Sequence, residues 1–409
     1  MTVAAAGGAR GRTLPPARLI VPALGVTQIL AWGSSYYLPA VLAQPIADDT
    51  GWSLTWVVGG LSLGLLVAGL TSPLVGRRIH RHGGRPVLIA SAVLLAAGSL
   101  GLAIAPTLPF FITAWLVMGL GMSAGLYDAA FSTLGRIYGQ GARRHITTLT
   151  LFGGFASTVC WPLSAFLLQE VGWRGTCLVY AAIQVLFSLS VYVLALPREH
   201  RNTGGHRSSD GGEPGGMDDA RPLWLFALLA LTLTIASMLS SVMSVHLLTI
   251  LQSRGLALAA AVALGAIVGP SQVGARFIEM LVARYHHPIW TKMASVTCVA
   301  VGLGLLWVHL PFVFVTLVFY GAGIGLESIA RATLPLALFG AERYAPIMGR
   351  LARPSLIAQA AAPSIGAYLI QWFGSDRALG TIVALAAVNV TLALALLLAA
   401  RNRSARFLE

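Results

Sequence analysis

Long apolar stretches separated by short polar ones run the length of the 409-residue chain. Twelve of them are long enough to cross about 30 Å of hydrocarbon at about 1.5 Å per residue. They cover roughly residues 19–46, 53–76, 86–104, 108–135, 146–168, 174–196, 222–250, 256–278, 289–308, 312–337, 355–373 and 378–400. Joints such as Ala105-Pro106-Thr107 and His309-Leu310-Pro311 read as proline turns between antiparallel helices. The one long polar segment, from Pro197 to Arg221, centres on Gly-Gly-His-Arg-Ser-Ser-Asp-Gly-Gly-Glu-Pro-Gly-Gly. Such a run has no apolar face to bury, which predicts a flexible linker.

The two sides of that linker repeat one another. Gly125-Leu126-Tyr127-Asp128 lines up with Gly325-Leu326-Glu327-Ser328, 200 positions later. Trp161-Pro162-Leu163-Ser164-Ala165 matches Ala362-Pro363-Ser364-Ile365-Gly366 at an offset of 201, and Val75-Gly76-Arg77-Arg78 matches Val273-Gly274-Ala275-Arg276 at 198. Three matches in one order at nearly one spacing indicate a duplication. The expected fold is therefore an all-α integral membrane protein with twelve transmembrane helices in two six-helix pseudo-repeat halves. The expected boundaries are a tail over 1–18, a bundle over 19–196, the linker over 197–221, a second bundle over 222–400 and a tail over 401–409.

Composition agrees with this pattern: 56% of residues are hydrophobic and 10% charged, where a soluble chain carries about a quarter charged residues. The net charge of +13 would suit a nucleic-acid partner, but its distribution argues for none. Of the 27 basic residues, 23 fall at the termini and at or near the loops after the even-numbered spans up to the tenth, Arg276 and Lys292 at the ends of their spans counted among them. That is the positive-inside pattern, and it puts both termini in the cytoplasm. Lys292 is the only lysine, and the preference for Arg points to a GC-rich bacterial source and hence a cytoplasmic (inner) membrane. The N-terminal residues lack the short apolar core and cleavage site of a signal peptide. Three cysteines, an odd number without metal-ligand spacing, predict neither a disulfide framework nor a metal site.

The candidate chemistry lies in the few ionisable residues within the spans. A charge there costs roughly 2.5–3.5 kcal/mol on insertion scales and calls for a compensating role. Asp128 and Glu327 are the proton-coupling candidates, each near the cytoplasmic half of its span. Arg331, four residues beyond Glu327, is placed to pair with it. Asp128 bonded to a facing helix and Glu327–Arg331 as a structural ion pair remain the alternatives. Arg276 and Glu279 share a helix face in the same way and suggest a latch of the second half. The polar and aromatic run of the first span, with Gln28, Trp32 and Tyr36, offers lining for a substrate cavity, as do Trp161 beside Pro162, Gln359 beside Pro363, and Glu327 with Arg331. His246 reads as a packing histidine or an outer pH sensor.

Twelve spans, two parallel-repeat halves and a central linker resemble the major facilitator superfamily over essentially the whole chain. The superfamily's loop motif after the second helix, Gly-x-x-x-Asp-Arg-x-Gly-Arg-Arg/Lys, reads here Gly76-Arg77-Arg78-Ile79-His80-Arg81-His82-Gly83-Gly84-Arg85. Gly76, Arg81, Gly83 and Arg85 match, while His80 and Gly84 replace an Asp and an Arg. The resemblance implies a cytoplasmic gate made of Gly76, Arg78, Arg81 and Arg85 with the repeat partners Gly274, Arg276 and Glu279. The fourth-helix motif has Trp115 where the family carries a proton-linked Arg, and the fifth-helix antiporter motif is incomplete. Asp49-Thr50-Gly51-Trp52-Ser53 is similar to the signature of monocarboxylate porters. The resemblance implies a secondary active transporter working by alternating access, with a small-molecule substrate, protons and the lipid bilayer as partners, a single chain as the working unit and no cofactor. Export of a toxic compound or metabolite and carriage of an organic acid both fit, and a passive facilitator is the alternative. A primary pump is disfavoured by the missing phosphate-binding Gly-x-x-x-x-Gly-Lys loop. A membrane enzyme is disfavoured because His80, His82, His286 and His287 lack ligand-like helical spacing.

Overall fold

The computed structural model describes residues 17–197 and 223–406. The expected linker after Pro197, nearly all of the N-terminal tail and the last three residues lie outside them. Every regular element among the described residues is helical. Each of the twelve apolar segments corresponds to one helix or to two consecutive ones. α1 joins Ala17–Gly33 to Pro39–Thr50; α2 is Leu54–His82, α3 is Gly84–Ala103, and α4 joins Leu108–Gly125 to Tyr127–Tyr138. α5 runs through Ala142–Gly154 and 156–171, and α6 occupies 173–195. α7 is Leu223–Ser253, α8 joins Leu258–Gly265 to Val268–Val282, and α9 is Pro288–Trp307. α10 is Val313–Phe339, α11 Tyr344–Phe373 and α12 Ser375–Arg406.

The interruptions have local causes. Between the parts of α1, Ser34 and Ser35 turn their hydroxyls back to the Ala31 carbonyl, at 3.4 and 2.6 Å. Pro39 then brings no N–H to continue the ladder. α4 breaks at Leu126, whose backbone is extended (φ −79°, ψ −170°). α5 and α6 part at Gly172, where φ is +69°, a conformation that favours glycine.

Many of the described arginines lie in or beside the loops after α2, α4, α8 and α10, Arg81, Arg85, Arg136, Arg143, Arg284 and Arg343 among them, and on this basic side the two halves meet. One buried cluster crosses between them, with Ile79, Ala130 and Leu134 from the first half against Ala332, Leu336, Tyr344 and Met348 from the second. α2 and α11 pack backbone to backbone there. A Cβ on Gly76 would overlap the Ala345 carbonyl oxygen and lie 3.2 Å from the Gly349 Cα. The Ser72 hydroxyl donates to the Gly349 carbonyl at 2.9 Å. Small residues permit this approach, as in other helix pairs within membranes. Gly274, the repeat counterpart of Gly76, has nothing within 4 Å of where its Cβ would stand. Among the described residues the expected gate contact at Gly274 is therefore absent. Its half instead uses Gly325, whose Cβ would run into the Gln272 backbone of α8.

Candidate functional site

The break in α4 sets up the first ionic contact. Asp128 falls in the first turn of Tyr127–Tyr138, where the helix dipole favours a carboxylate. Arg331 on α10 grips it across the two halves, Nη2 to Oδ2 at 2.9 Å and Nε to Oδ1 at 3.2 Å, and donates from Nη1 to Ser237 on α7 at 3.2 Å. Both side chains are 18% exposed. The expected Glu327–Arg331 pairing is thus replaced by Asp128–Arg331. Glu327 has another cation: Lys292 Nζ on α9 lies 2.6 Å from its Oε1, and the Ser295 hydroxyl donates to its Oε2 at 2.8 Å. Lys292 is not a loop residue, as the charge distribution suggests, but a fully buried one in the second turn of α9. Sequence alone misplaces it because one charge near the end of an apolar run reads as a flanking charge.

Arg276 is the third cation inside the spans. It is buried on α8 and turned toward the first half. Its Nη1 donates to the Thr150 carbonyl of α5 at 3.0 Å, its Nε to the Gly325 carbonyl at 3.3 Å and its Nη2 to Gln272 at 3.4 Å. The Gly154 position opposite it leaves room for the guanidinium, and the Tyr127 ring hydroxyl lies against it. Among the described residues no carboxylate is within ion-pair distance of Arg276. The expected Arg276–Glu279 latch is not formed. Glu279 accepts from the Thr291 hydroxyl at 2.7 Å and lies 3.4 Å from His286 Nε2.

Aromatic rings form the wall of the first half beside Arg276. Trp32 meets Tyr36 at 5.2 Å, Tyr37 at 6.0 Å and Tyr127 at 5.0 Å between ring centroids. Tyr37 meets Trp161 edge-on at 6.2 Å. The Tyr36 hydroxyl faces Ser244 of α7 in the second half. Of the expected cavity residues, Trp32, Tyr36 and Trp161 therefore join one wall, to which the structure adds Tyr37 and Tyr127.

Gln28 and Gln359 do not belong to it in the expected way. Gln28 is fully buried and donates to the Gly125 carbonyl at 2.6 Å, at the break of α4. Gln359 is four residues before Pro363, which has no N–H for its carbonyl, and Ser241 of α7 donates to that carbonyl at 3.1 Å. His246 packs its Nε2 against the Pro363 carbonyl at 2.9 Å. Of the gate residues, Arg78 and Arg81 are exposed on the basic face. Arg85 donates to the Tyr192 and Val193 carbonyls at 3.4 and 2.6 Å. It closes the end of α6 in its own half, and among the described residues it makes no bond across to the other half. At the same surface Arg143 of α5 crosses to the second half, donating to the His286 carbonyl at 2.8 Å. Its spacing carries no sequence signal.

A sequence profile of the Major Facilitator Superfamily matches residues 24–352. The chain belongs to that superfamily. As a superfamily member it is a multi-pass membrane protein. It is 33% identical to mouse monocarboxylate transporter 11 over 145 residues, 34% of this chain and 29% of that one. It is 30% identical to human monocarboxylate transporter 6 over 133 residues, 32% of this chain and 25% of that one. The chain thus matches less than a third of those relatives' length. The fold is similar to that of the human organic anion transporter MFSD10, with a TM-score of 0.73 and 16% identity, covering 93% of this chain and 100% of that one. It is also similar to FucP in the outward conformation, with a TM-score of 0.74 and 12% identity, covering 93% and 99%. Among the described residues this superfamily member therefore holds the Asp128–Arg331 pair between its halves, the Glu327–Lys292 pair beside it, and the Arg276 guanidinium with no carboxylate in ion-pair distance.

Proposed function

We propose that this chain is a proton-coupled secondary transporter of small organic acids. Arg276 is the observation that carries the reading. An ionised group in a span is retained only where something compensates it. Lys292 and Arg331 are balanced by Glu327 and Asp128, whereas Arg276 rests on neutral acceptors. A planar guanidinium with donors to spare suits a carboxylate, and the adjoining aromatic wall suits an apolar tail. The likeness to monocarboxylate transporters supports the same class.

The basic side is assigned to the cytoplasm by the positive-inside distribution, in a bacterial inner membrane with both termini inside. Closure on that side then corresponds to an outward-facing carrier. Asp128 is the coupling residue. While ionised it ties Arg331 across the closed side; a proton on its carboxylate removes that tie and lets the halves part there. Substrate at Arg276 and a proton at Asp128 together leave the loaded carrier free to rock, and uphill accumulation follows the proton gradient.

The test is a thermal-shift panel on purified protein with small monocarboxylates, dicarboxylates, sugars and lipophilic cations at pH 5.5 and 7.5, on wild type and Arg276→Gln. Monocarboxylates should stabilise the wild type, more strongly at pH 5.5, and should lose their effect in the variant. Stabilisation by sugars or cations with none by carboxylates would refute the substrate class. Stabilisation by carboxylates equal at both pH values would remove the proton and leave a facilitator.

A further inference from the structure

Four charges lie along α10 and the two helices that meet it, α4 and α9: Asp128, Lys292, Glu327 and Arg331. We propose that Arg331 changes carboxylate during transport, holding Asp128 when the basic side is closed and Glu327 when it is open, and that Lys292 is the positioning residue that governs the exchange. The inference rests on the alternating-access reading above.

The geometry supplies each step. Asp128 and Arg331 are on opposite halves, so their bond cannot survive separation of the halves on that side. A partly buried guanidinium left without its acid partner would disfavour the open state. Glu327 is one turn before Arg331 on the same uninterrupted helix, Val313–Phe339, and residues so spaced share a face. Wherever α10 moves, Glu327 moves with Arg331. In the closed state Glu327 is occupied, by Lys292 at 2.6 Å and by the Ser295 hydroxyl at 2.8 Å. Lys292 and Arg331 are close enough for their charges to repel. Lys292 thus both fills Glu327 and pushes Arg331 toward Asp128.

The remaining groups that face the site are Ser237 of α7, a partner that accepts from Arg331, and Tyr344 of α11, whose hydroxyl donates to the Ala332 carbonyl and whose ring is near both Asp128 and Arg331. All four charges together sum to zero. A proton on an Asp128 carboxylate oxygen leaves two cations for one anion, and Glu327 then accepts from both.

The experiment measures distances between spin labels at His82 and Arg350, exposed positions on α2 and α11 at or toward the basic side, from pH 8 to pH 5. Lys292→Met should free Glu327 to draw Arg331 away, shifting the closed-to-open ratio toward open by about tenfold at pH 7.5. Lys292→Arg should behave as wild type. Glu327→Gln should act in the opposite direction, keeping the closed distance to lower pH, and the double variant K292M/E327Q should return toward wild type. Wild-type distances in both single variants, or shifts in the same direction in both, would overturn the exchange. Should Lys292→Met fail to fold, Glu327→Gln with an unchanged pH midpoint overturns it alone. A wild type whose distances respond to substrate while the variants match it refutes the exchange only; a wild type that never moves refutes the alternating-access reading with it.

Discussion

A single methyl group at Gly76 should shift the balance between the proposed conformations of this protein. With the basic side closed, the Cβ introduced by Gly76→Ala would overlap the Ala345 oxygen. It would also stand 3.2 Å from the Gly349 Cα and 3.3 Å from the Ala345 carbonyl carbon. All three are backbone atoms of α11, so no rotamer change relieves the contact. The helices must separate by several tenths of an ångström along a face that is also held by the Ser72–Gly349 hydrogen bond. Overpacking of this kind costs about 1–3 kcal/mol. The opposing gain in helix propensity from Gly to Ala, up to about 1 kcal/mol, is present in both conformations and cancels between them. The whole penalty therefore falls on the closed state and changes the population ratio about 5–150-fold. Binding of a substrate that enters from the other side weakens in proportion to the loss of the closed fraction.

Spin-label distances across the basic side read the shift directly, and substrate titrations read its consequence. Gly349→Ala should reproduce the effect, since its Cβ would overlap the Ser72 carbonyl and lie 3.2 Å from the Gly76 Cα. Gly274→Ala is the control: the same substitution at the repeat-related position meets nothing within 4 Å and should leave the ratio alone. Wild-type distances in both Gly76→Ala and Gly349→Ala, or an equal shift in Gly274→Ala, would refute the argument.

Two further outcomes follow from the ionisable groups. Asp128→Asn keeps the shape of the site but removes the charge that binds Arg331, so gradient-driven accumulation should fall to background while exchange of substrate across a sealed vesicle persists. Uphill uptake at the wild-type level would remove Asp128 as the coupling residue. His287 precedes α9 and accepts the Ile289 N–H on its Nδ1 at 3.2 Å, a role open only to the neutral ring. Burial, then Arg143 and His286, hold its pKa below the ordinary imidazole value of 6.5. The unfolded chain therefore binds this proton first on acidification, and the stability from His287 is complete above pH 6.5 and lost as pH falls below it. The cap is worth about 1 kcal/mol, so the thermal midpoint should decline as the pH falls below the imidazole range, and less so in His287→Ser, whose hydroxyl caps without titrating. An identical decline in both proteins would refute this role.

The spans are legible in the sequence because an apolar run of sufficient length has few alternatives in a membrane protein. Gly76 is legible because a glycine in an otherwise apolar helix near basic residues marks close helix contact. The partner of Arg331 is not legible. Spacing along one helix brings Glu327 to mind, while the carboxylate that Arg331 holds is 203 residues away on α4, and only the docking of the two halves brings it near. The repeat misleads in one place for a related reason. Val273-Gly274 copies Val75-Gly76 in sequence, but a glycine is a contact only if another helix lies opposite, and at Gly274 none of the described helices comes within 4 Å of where its Cβ would stand.

Broken helices explain why the set of residues left for the solute is smaller than the polar content of the spans. An interruption within a membrane exposes carbonyls that need donors, and several of the most polar side chains meet that need. Gln28 serves the Gly125 carbonyl at the α4 break and Ser241 the Gln359 carbonyl above Pro363. Gln184 of α6 donates to Ser34 at the α1 turn. A polar residue in an apolar helix is therefore as readily a repair of the backbone as a ligand for cargo. The distinction lies in what remains once the backbone is served. Arg276 holds a full charge that neutral carbonyls do not cancel, and the tyrosines and tryptophans of α1, α4 and α5 gather beside it. Those residues, and the charge exchange centred on Arg331, are where substitutions should change what is carried and how it is driven, whereas substitutions at the repair sites should change stability.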